Sequence, residues 1–380
     1  MMKVVLLGFG DKNLDQFNFM SEKNSDIKLV SESRYMRFYS VLLLLVFFCS
    51  CSNQEPIRLN NQIERFDKFP NTDSLFFESL SEKVMEEPSA MLFYKDNLII
   101  ETFCKGKDNF LLVYSLTQDS VLCESIKYGN GPNEMLSCKM SILNDRIWLY
   151  DMSKMYLSNV HIDSLFYSNV NIQNKKIEGG MYYRTAMLND SILIGTGNMA
   201  NDHKVDYINI NTNKIINSID YAFLNQQFNR DVLIDVSHCD IKVNPKTKDI
   251  LLSYRFTDVI EIYSSSGELI SSYQGPLGFD LEFQAVQMGD KSFAAKTKQT
   301  RKAYVNSYVT EKYIYLLYSG CRRNDTNWEN GTELFVFSWD GKPYKRYILN
   351  QPIYTLAVDE KAGNIYSYSL RTGEIIKGKI

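Results

Sequence analysis

The chain has 380 residues, 42 of them basic and 45 acidic for a net charge of -3, and 44% are apolar. That balance excludes a disordered chain and provides no basic field for nucleic acid or an acidic membrane, so any anion must be held by a local patch. Tyrosine (25) and phenylalanine (22) are abundant, and aromatic side chains suit pleated, half-buried surfaces, so the composition leans towards strands.

In chain order, "KVVLLGFGDKN" (3–13) begins like a dinucleotide-binding turn, but Asn13 stands where the third glycine belongs. No acidic residue closes a second strand about 20 residues on, so no nucleotide is expected there. The greasy run Phe38 to Phe48 follows, with only Ser40 polar. It is too short to span a bilayer, which takes roughly 20 residues, and has the length of a signal-peptide core. Arg34 and Arg37 flank it, Ser50 precedes Cys51, and polar Ser52 to Glu55 follow. The arrangement resembles a bacterial lipoprotein signal, with Cys51 as the lipidated residue; Cys49 fits less well because bulky Phe48 would precede the cut. An export signal must lie near a terminus, so translation is expected to start at Met36. The divisions expected are a leader at 1–35 from an upstream misreading, a signal peptide at 36–50, a tether at 51–61 and the folded domain at 62–380. Cys104, Cys123, Cys138, Cys239 and Cys321 are odd in number and lack metal spacing, and are expected as free, mostly buried thiols.

Beyond residue 88 a unit repeats: a polar turn, an aliphatic-aromatic strand, a loop, then a hairpin. The strand recurs as "DNLIIETF", "DRIWLYD", "DSILIGT", "KDILLSY", "KYIYLLY" and "GNIYSYS". Aligning Leu98, Ile147, Ile192, Ile250, Ile314 and Ile365 gives spacings of 49, 45, 58, 64 and 51 residues, which suits the four-stranded blades of a radial repeat. "FLLVYSL TQDS VLCESI", "DYINI NTNK IINSI", "VIEIY SSSG ELISSY" and "ELFVFSW DG KPYKRYIL" read as hairpins around Gly-, Asn-, Asp- and Ser-rich turns. A looser pair, "MYLSNV" and "LFYSNV", meets at His161 to Ser164. The last unit has room for only one further strand, "EIIKGKI". Three strands would leave an open edge, which invites aggregation, so "QIERFDKF" (62–69) is expected to supply the missing outer strand. The expected fold is an all-β, six-bladed β-propeller closed by an N-terminal strand joining the last blade.

On "YGNGPNEM" (128–135) and on "LFVFSWDGKPYKRYIL" leading to "IYTLAVDEKAGNIYSYS", the sequence resembles the TolB-like six-bladed β-propeller lipoproteins of Gram-negative bacteria, over roughly residues 40–380. Gly129, Gly131, Pro132 and Glu134 match the family's G-x-G-P-G-E turn, and Asn133, in the place of its last glycine, is expected at positive φ. The resemblance implies the fold and a lipid-anchored place in the cell envelope, and leaves the biochemical role open.

Loop lengths divide the two faces. Turns after the first and third strands are short; "GTGNMANDHK" (195–204), "YAFLNQQFNRD" (221–231), residues 275–302 and "SGCRRNDTNWENG" (319–331) are long and share the other face. Functional residues concentrate on such loops. Lys296, Lys298, Arg301, Arg322 and Arg323 lie there with Trp328, an indole among cations that suits a sugar or a peptide side chain; the plainer reading is a solvated charge run over a packed Trp. His203 falls in a long loop, while His238 and Arg184 are expected on innermost strands facing the central channel together. With His161, these histidines make a zinc site only if the fold gathers them. Neither a nucleophile turn nor paired carboxylates appear. The favoured function is a lipid-anchored, non-catalytic binding or scaffold propeller that recognises an anionic glycan, a peptide or an envelope protein through the long-loop face. A channel-site hydrolase or lyase is the alternative, with calcium, held by scattered Asp, Asn and Glu, the one cofactor it would take. A structural part in an envelope complex is the third. A monomer without nucleic-acid partners is expected.

Overall fold

A computed structural model describes residues 57–80, 85–103, 109–167, 170–198, 200–222, 229–289 and 291–380. The proposed leader, signal segment and Cys51, together with Cys104, lie outside the described residues.

The N-terminal segment carries β1 (Glu64–Arg65), β2 (Thr72–Leu75) and β3 (Phe77–Ser79). Blade 1 is β4 (Pro88–Tyr94), β5 (Asn97–Thr102), β6 (Asn109–Ser115), β7 (Ser120–Tyr128) and the short β8 (Glu134–Met135). Blade 2 is β9 (Lys139–Leu143), β10 (Arg146–Asp151), β11 (Tyr156–His161) and β12 (Lys175–Lys176), and blade 3 is β13 (Arg184–Asn189), β14 (Ile192–Thr196), β15 (His203–Asn209) and β16 (Lys214–Asp220). The helix α1 (Arg230–Val236) precedes blade 4, built of β17 (Cys239–Val243), β18 (Ile250–Tyr254), β19 (Val259–Tyr263) and β20 (Leu269–Gln274). A separate hairpin, β21 (Gln284–Met288) with β22 (Lys291–Ala295), separates it from blade 5, β23 (Tyr304–Val309), β24 (Tyr313–Tyr318), β25 (Gly331–Ser338) and β26 (Pro343–Ile353). Blade 6 is β27 (Leu356–Asp359), β28 (Asn364–Tyr368) and β29 (Ile375–Lys379), completed by β3. The result is an all-β, six-bladed propeller.

First strands of successive blades meet around the ring, β9 with β13, β13 with β17, β17 with β23, β23 with β27 and β27 with β4, so they line the central channel. Second strands are covered on both faces by neighbouring blades. β18 and β28 are buried along their whole length, which is why these strands read as unbroken apolar runs instead of alternating ones. Leu98, Ile147, Ile250, Ile314 and Ile365 are each fully buried, as their alignment requires. Ile192 is only partly covered, because β13 shifts register between Met187 and Asn189 opposite it.

All four hairpins form as read, β6 with β7, β15 with β16, β19 with β20 and β25 with β26. The looser pair does not. Leu165 and Phe166 of "LFYSNV" belong to a 3-10 turn, Ile162–Phe166, that buries Ile162 and Leu165, and the outer strand of blade 2 is β12 instead.

Closure also uses a different segment from the one expected. Within "QIERFDKF" only Glu64–Arg65 is a strand, and it runs parallel to β20 at the outer edge of blade 4. Phe66 and Phe69 turn inward against Phe337 and Phe335, at ring-centroid distances of 6.0 and 4.6 Å, and so wedge between blades 4 and 5. β2 then runs parallel to β26 of blade 5, and β3 pairs antiparallel with β29, Phe77 opposite Gly378. Asn350 clamps this strand: its amide accepts from the Phe77 N–H at 3.0 Å and donates to the Phe77 carbonyl at 3.1 Å. Gly378 is required by the close approach, since a Cβ there would lie 2.9 Å from a Leu75 methyl and 3.2 Å from the Phe76 carbonyl. Upstream, the stretch expected as a tether is docked from Ile57 onward, where Ile57 and Leu59 are buried in the core of blades 3 and 4.

At "YGNGPNEM" the Glu134 carboxylate accepts from the Gly131 N–H at 2.7 Å and fills the space above Gly129, where a Cβ would fall 2.1 Å from its oxygen. The Lys154 ammonium donates to the Gly129 and Glu134 carbonyls at 2.8 and 3.0 Å, and the Pro132 carbonyl accepts from the Asn174 amide at 2.7 Å. These four residues therefore shape a turn. Asn133 is not at positive φ; within the motif that conformation falls to Gly129, at φ 156°.

Candidate functional site

A cavity of about 280 Å³ opens at the channel end where the long loops lie. Its walls come from the innermost strands, with Lys139, Arg184, Asp240 and Lys242, and from the end of a second strand, with Glu101, joined by Phe103, Arg255 and Tyr354 from the adjoining turns. A larger hollow, about 540 Å³ beside Gly131 and Glu134, is more open to solvent, and its Glu134 is already committed to the turn.

His238 reaches the cavity through α1. The Asn229 side chain caps that helix by accepting from the Asp231 N–H, Val232, Leu233, Ile234 and Val236 bury its inner face, and the Ala294 N–H of β22 donates to Asp235 at 3.2 Å. The Ser237 hydroxyl closes the last turn on the Ile234 carbonyl at 3.1 Å, so the next residue, His238, enters the channel at a fixed angle. Its carbonyl accepts from the Arg255 N–H at 2.8 Å, which sets the two side chains beside each other.

The charges are only partly matched. Lys139 donates to Glu101 at 2.7 Å, and Glu101 also accepts from the Met140 N–H at 2.7 Å. Asp240 is shared by Arg184 at 3.5 Å and Lys242 at 3.7 Å and accepts from the Ser307 hydroxyl. Burial opposes its charge, but Lys242 and Arg184 outweigh that and hold its carboxyl below the usual range. The Arg255 side chain takes no hydrogen bond or ion pair among the described residues; burial and the neighbouring Arg184 lower its pKa, with Asp240 and Glu329 acting on it only from a distance. The His238 Nε2 is buried without a partner among the described residues. Burial, then Arg255, Arg184 and Lys296, push this imidazole down to about 4, so it is neutral at pH 7. The Tyr183 ring meets it edge-on at 4.4 Å, and across the mouth Phe103 and Tyr354 pack at 5.9 Å.

A family model for the TolB-like 6-blade propeller-like proteins matches residues 65–361. The chain belongs to that family. No curated protein matches it in sequence. Among solved structures, a member of the DUF4221 family from Bacteroides vulgatus is similar at a TM-score of 0.53 and 10% identity, covering 86% of this chain and 98% of its own. A candidate exported protein from Bacteroides fragilis follows at 0.47 and 10%, with 79% and 87% covered. A protein of unknown function from Bacteroides thetaiotaomicron reaches 0.46 and 9%, with 85% and 75% covered. At these identities the likeness speaks for the fold alone.

In this TolB-like propeller, Arg184 and His238 meet on one cavity wall, as their strand positions implied. The other candidates lie elsewhere. His203 opens β15 and is locked by its Nδ1 on Asp206 at 2.5 Å, within a buried net that also takes Tyr182 and Asn201; a carboxylate so fully satisfied makes this histidine a structural strut. Trp328 is buried under the loops, 9% exposed and stacked on Phe256 at 6.3 Å, with the Lys302 ammonium 4.8 Å over its ring. It offers no face to a ligand. The basic loops do converge: Arg301 and Arg322 form a β-bridge, and Arg323 donates to the Lys296 carbonyl. Several of these cations brace the loops, however, with Arg301 donating to the Gly320 carbonyl at 2.8 Å and Lys296 lying 4.9 Å over Phe256. Lys298 and Arg322 are exposed.

Cys138 and Cys239 are buried thiols, whereas Cys123 and Cys321 are half-buried. Among the described residues no three His, Cys, Asp or Glu side chains converge to hold a metal ion. Sequence reasoning missed Arg255, Asp240, Lys242, Glu101 and Lys139. The alternation of "CDIKV", with Asp240 and Lys242 two apart on an innermost strand, carried a legible signal for one channel face. Arg255 carried none, because a residue just past a buried strand reads as the start of a loop.

Proposed function

We infer that the chain is a non-catalytic binding propeller of the Gram-negative cell envelope, anchored through lipid on Cys51, that takes its ligand into the channel mouth on the long-loop face. The cavity carries this reading: rigid innermost strands hold charged groups around a recess, and binding sites favour concave recesses with a few convergent polar groups. The cavity's carboxylates are already engaged, Glu101 by Ser89, Lys139 and the Met140 N–H and Asp240 by Arg184 and Lys242, which favours recognition over proton transfer. The arrangement of Ser50, Cys51 and the greasy run before them supports the anchor.

Two experiments test it. Mass spectrometry of the native protein should find an acylated N-terminal Cys51, and Cys51→Ala should release the protein from membranes; an unmodified, soluble native product would remove the anchor. Glycan and peptide arrays probed with the full-length protein in detergent should give binders whose signal is lost in Tyr354→Ala. Binders indifferent to that change would move the site off the channel mouth.

A further inference from the structure

The cavity contains more positive charge than its own carboxylates answer, and the excess is localised. Lys139, Arg184, Lys242 and Arg255 face Glu101 and Asp240. Lys139 is matched by Glu101, and Asp240 is divided between Arg184 and Lys242. Among the described residues the Arg255 guanidinium has no partner and lines the cavity together with His238, whose buried Nε2 also lacks one. A buried polar atom without a partner is costly, and the His238 Nε2 is one; with the half-buried Arg255 guanidinium lining the same recess, the two are most simply explained by a guest that completes them.

We propose that the channel mouth binds the carboxylate of a small organic acid, with Arg255 and the His238 Nε2–H as its donors and Tyr183, Phe103 and Tyr354 against its body. The proposal rests on the channel-mouth reading and names the ligand's chemistry. Three features select a carboxylate. A guanidinium presents two parallel N–H groups that match the two oxygens of a planar carboxylate. A neutral imidazole adds one N–H and no charge, so the donor set suits one singly charged group better than a phosphate dianion. The aromatic rings need an apolar or sugar-ring surface to cover, which a bare inorganic anion lacks. The size agrees, since about 280 Å³ falls at the small end of ligand pockets, which run from roughly 300 to 1,000 Å³. It suits a single sugar ring or amino-acid residue within the recess. A sugar acid and the terminal carboxylate of a peptide share this chemistry.

Calorimetry with the full-length protein in detergent would use glucuronate, glucose, N-acetylphenylalanine, its amide, and inorganic phosphate. At least one of the two acids should bind, and its uncharged counterpart should bind at least about tenfold more weakly; which acid wins identifies the source. Arg255→Gln should weaken the acid by about tenfold or more, and Arg255→Lys should restore only part because it lacks the fork. Far-ultraviolet circular dichroism and the melting temperature report whether the variants fold. Should Arg255→Gln destabilise the protein, His238→Phe, which removes the Nε2–H and keeps a ring, must still weaken the acid several-fold. Phosphate binding more tightly than either acid, or an affinity unchanged in both variants, overturns the carboxylate. Neutral ligands that bind as well as the acids, and fail in Tyr354→Ala, also overturn it while leaving the channel-mouth reading intact. If nothing in the panel binds, the carboxylate proposal fails, and the array experiment decides the broader reading by itself.

Discussion

An imidazole buried beside Arg255, Arg184 and Lys296 is costly to protonate, and that cost is measurable as stability. His238 titrates near 6.5 when unfolded and at about 4 in the fold. Between these values the unfolded chain binds the extra proton, so the residue's contribution falls as pH drops from about 6.5 to 4 and is level outside that window. After allowance for partial exposure the loss is roughly 2–3 kcal/mol. Asp258, raised by burial to about 6, acts with the opposite sign over part of the same range, so the informative quantity is a difference. Denaturant unfolding of the parent and His238→Gln across pH 4–7.5 should show the parent losing more stability on acidification; parallel curves would mean the imidazole is not buried beside these cations. Trp328 makes a simpler case. Its indole is buried against Phe256, so Trp328→Ala should cost about 3–5 kcal/mol, visible as a lower melting temperature. A variant that kept its melting temperature and lost only ligand affinity would restore Trp328 to the binding surface.

At the level of elements, the N-terminal segment stitches the outer edges of three blades, β1 on blade 4, β2 on blade 5 and β3 on blade 6. The stitches are not equivalent. β1 and the Phe66–Phe69 wedge cover blades that already own four strands, whereas β3 supplies a strand that blade 6 lacks. Removing residues 57–70 should therefore lower the melting temperature and leave a monodisperse protein, while removing 57–80 should expose the β29 edge and cause aggregation. Size-exclusion chromatography separates these outcomes, and equal behaviour of the two truncations would refute closure through β3. Gly378→Val presses on Leu75 and the Phe76 carbonyl, and overpacking of this kind costs about 1–3 kcal/mol. The expected order of melting temperatures places Gly378→Val below the parent.

Across the whole molecule, net charge is slightly negative while the long-loop face gathers cations around a cationic cavity. Such a local field raises the encounter rate of an anion more than its final affinity. Lys298 and Arg322 are exposed, so Lys298→Gln with Arg322→Gln should change stability by less than about 0.5 kcal/mol. At low salt the double variant should slow association of an acidic ligand by roughly two- to threefold, an effect that fades near 0.15 M salt as the Debye length falls to about 8 Å. Stopped-flow association rates at two ionic strengths check this. An unchanged low-salt rate would mark the patch as a solvated surface.

Much of this architecture is local and was therefore legible without coordinates. Each second strand is walled by its neighbouring blades on both faces, so "KDILLSY" and "KYIYLLY" carry unbroken apolar runs wherever the blades come to lie. Hairpin turns need left-handed residues at set places, and Asn144 and Asn213 supply them at φ 53° and 58°. The blade count, the hairpins, the short- and long-turn faces and the Gly129–Glu134 turn all follow from such short-range demands. The remaining features depend on partners from other strands, some of them hundreds of residues away. That β3 and not "QIERFDKF" closes the ring rests on Asn350 and Gly378 meeting Phe77 across the join. That Trp328 is buried depends on Phe256 arriving beneath it from the preceding blade. The cavity's open guanidinium exists because the Arg255 N–H pairs with the His238 carbonyl just ahead of the adjacent innermost strand while, among the described residues, no carboxylate closes on its side chain. Desolvation and charge pairing belong to neighbours in space, and only the closed ring of blades decides who those neighbours are.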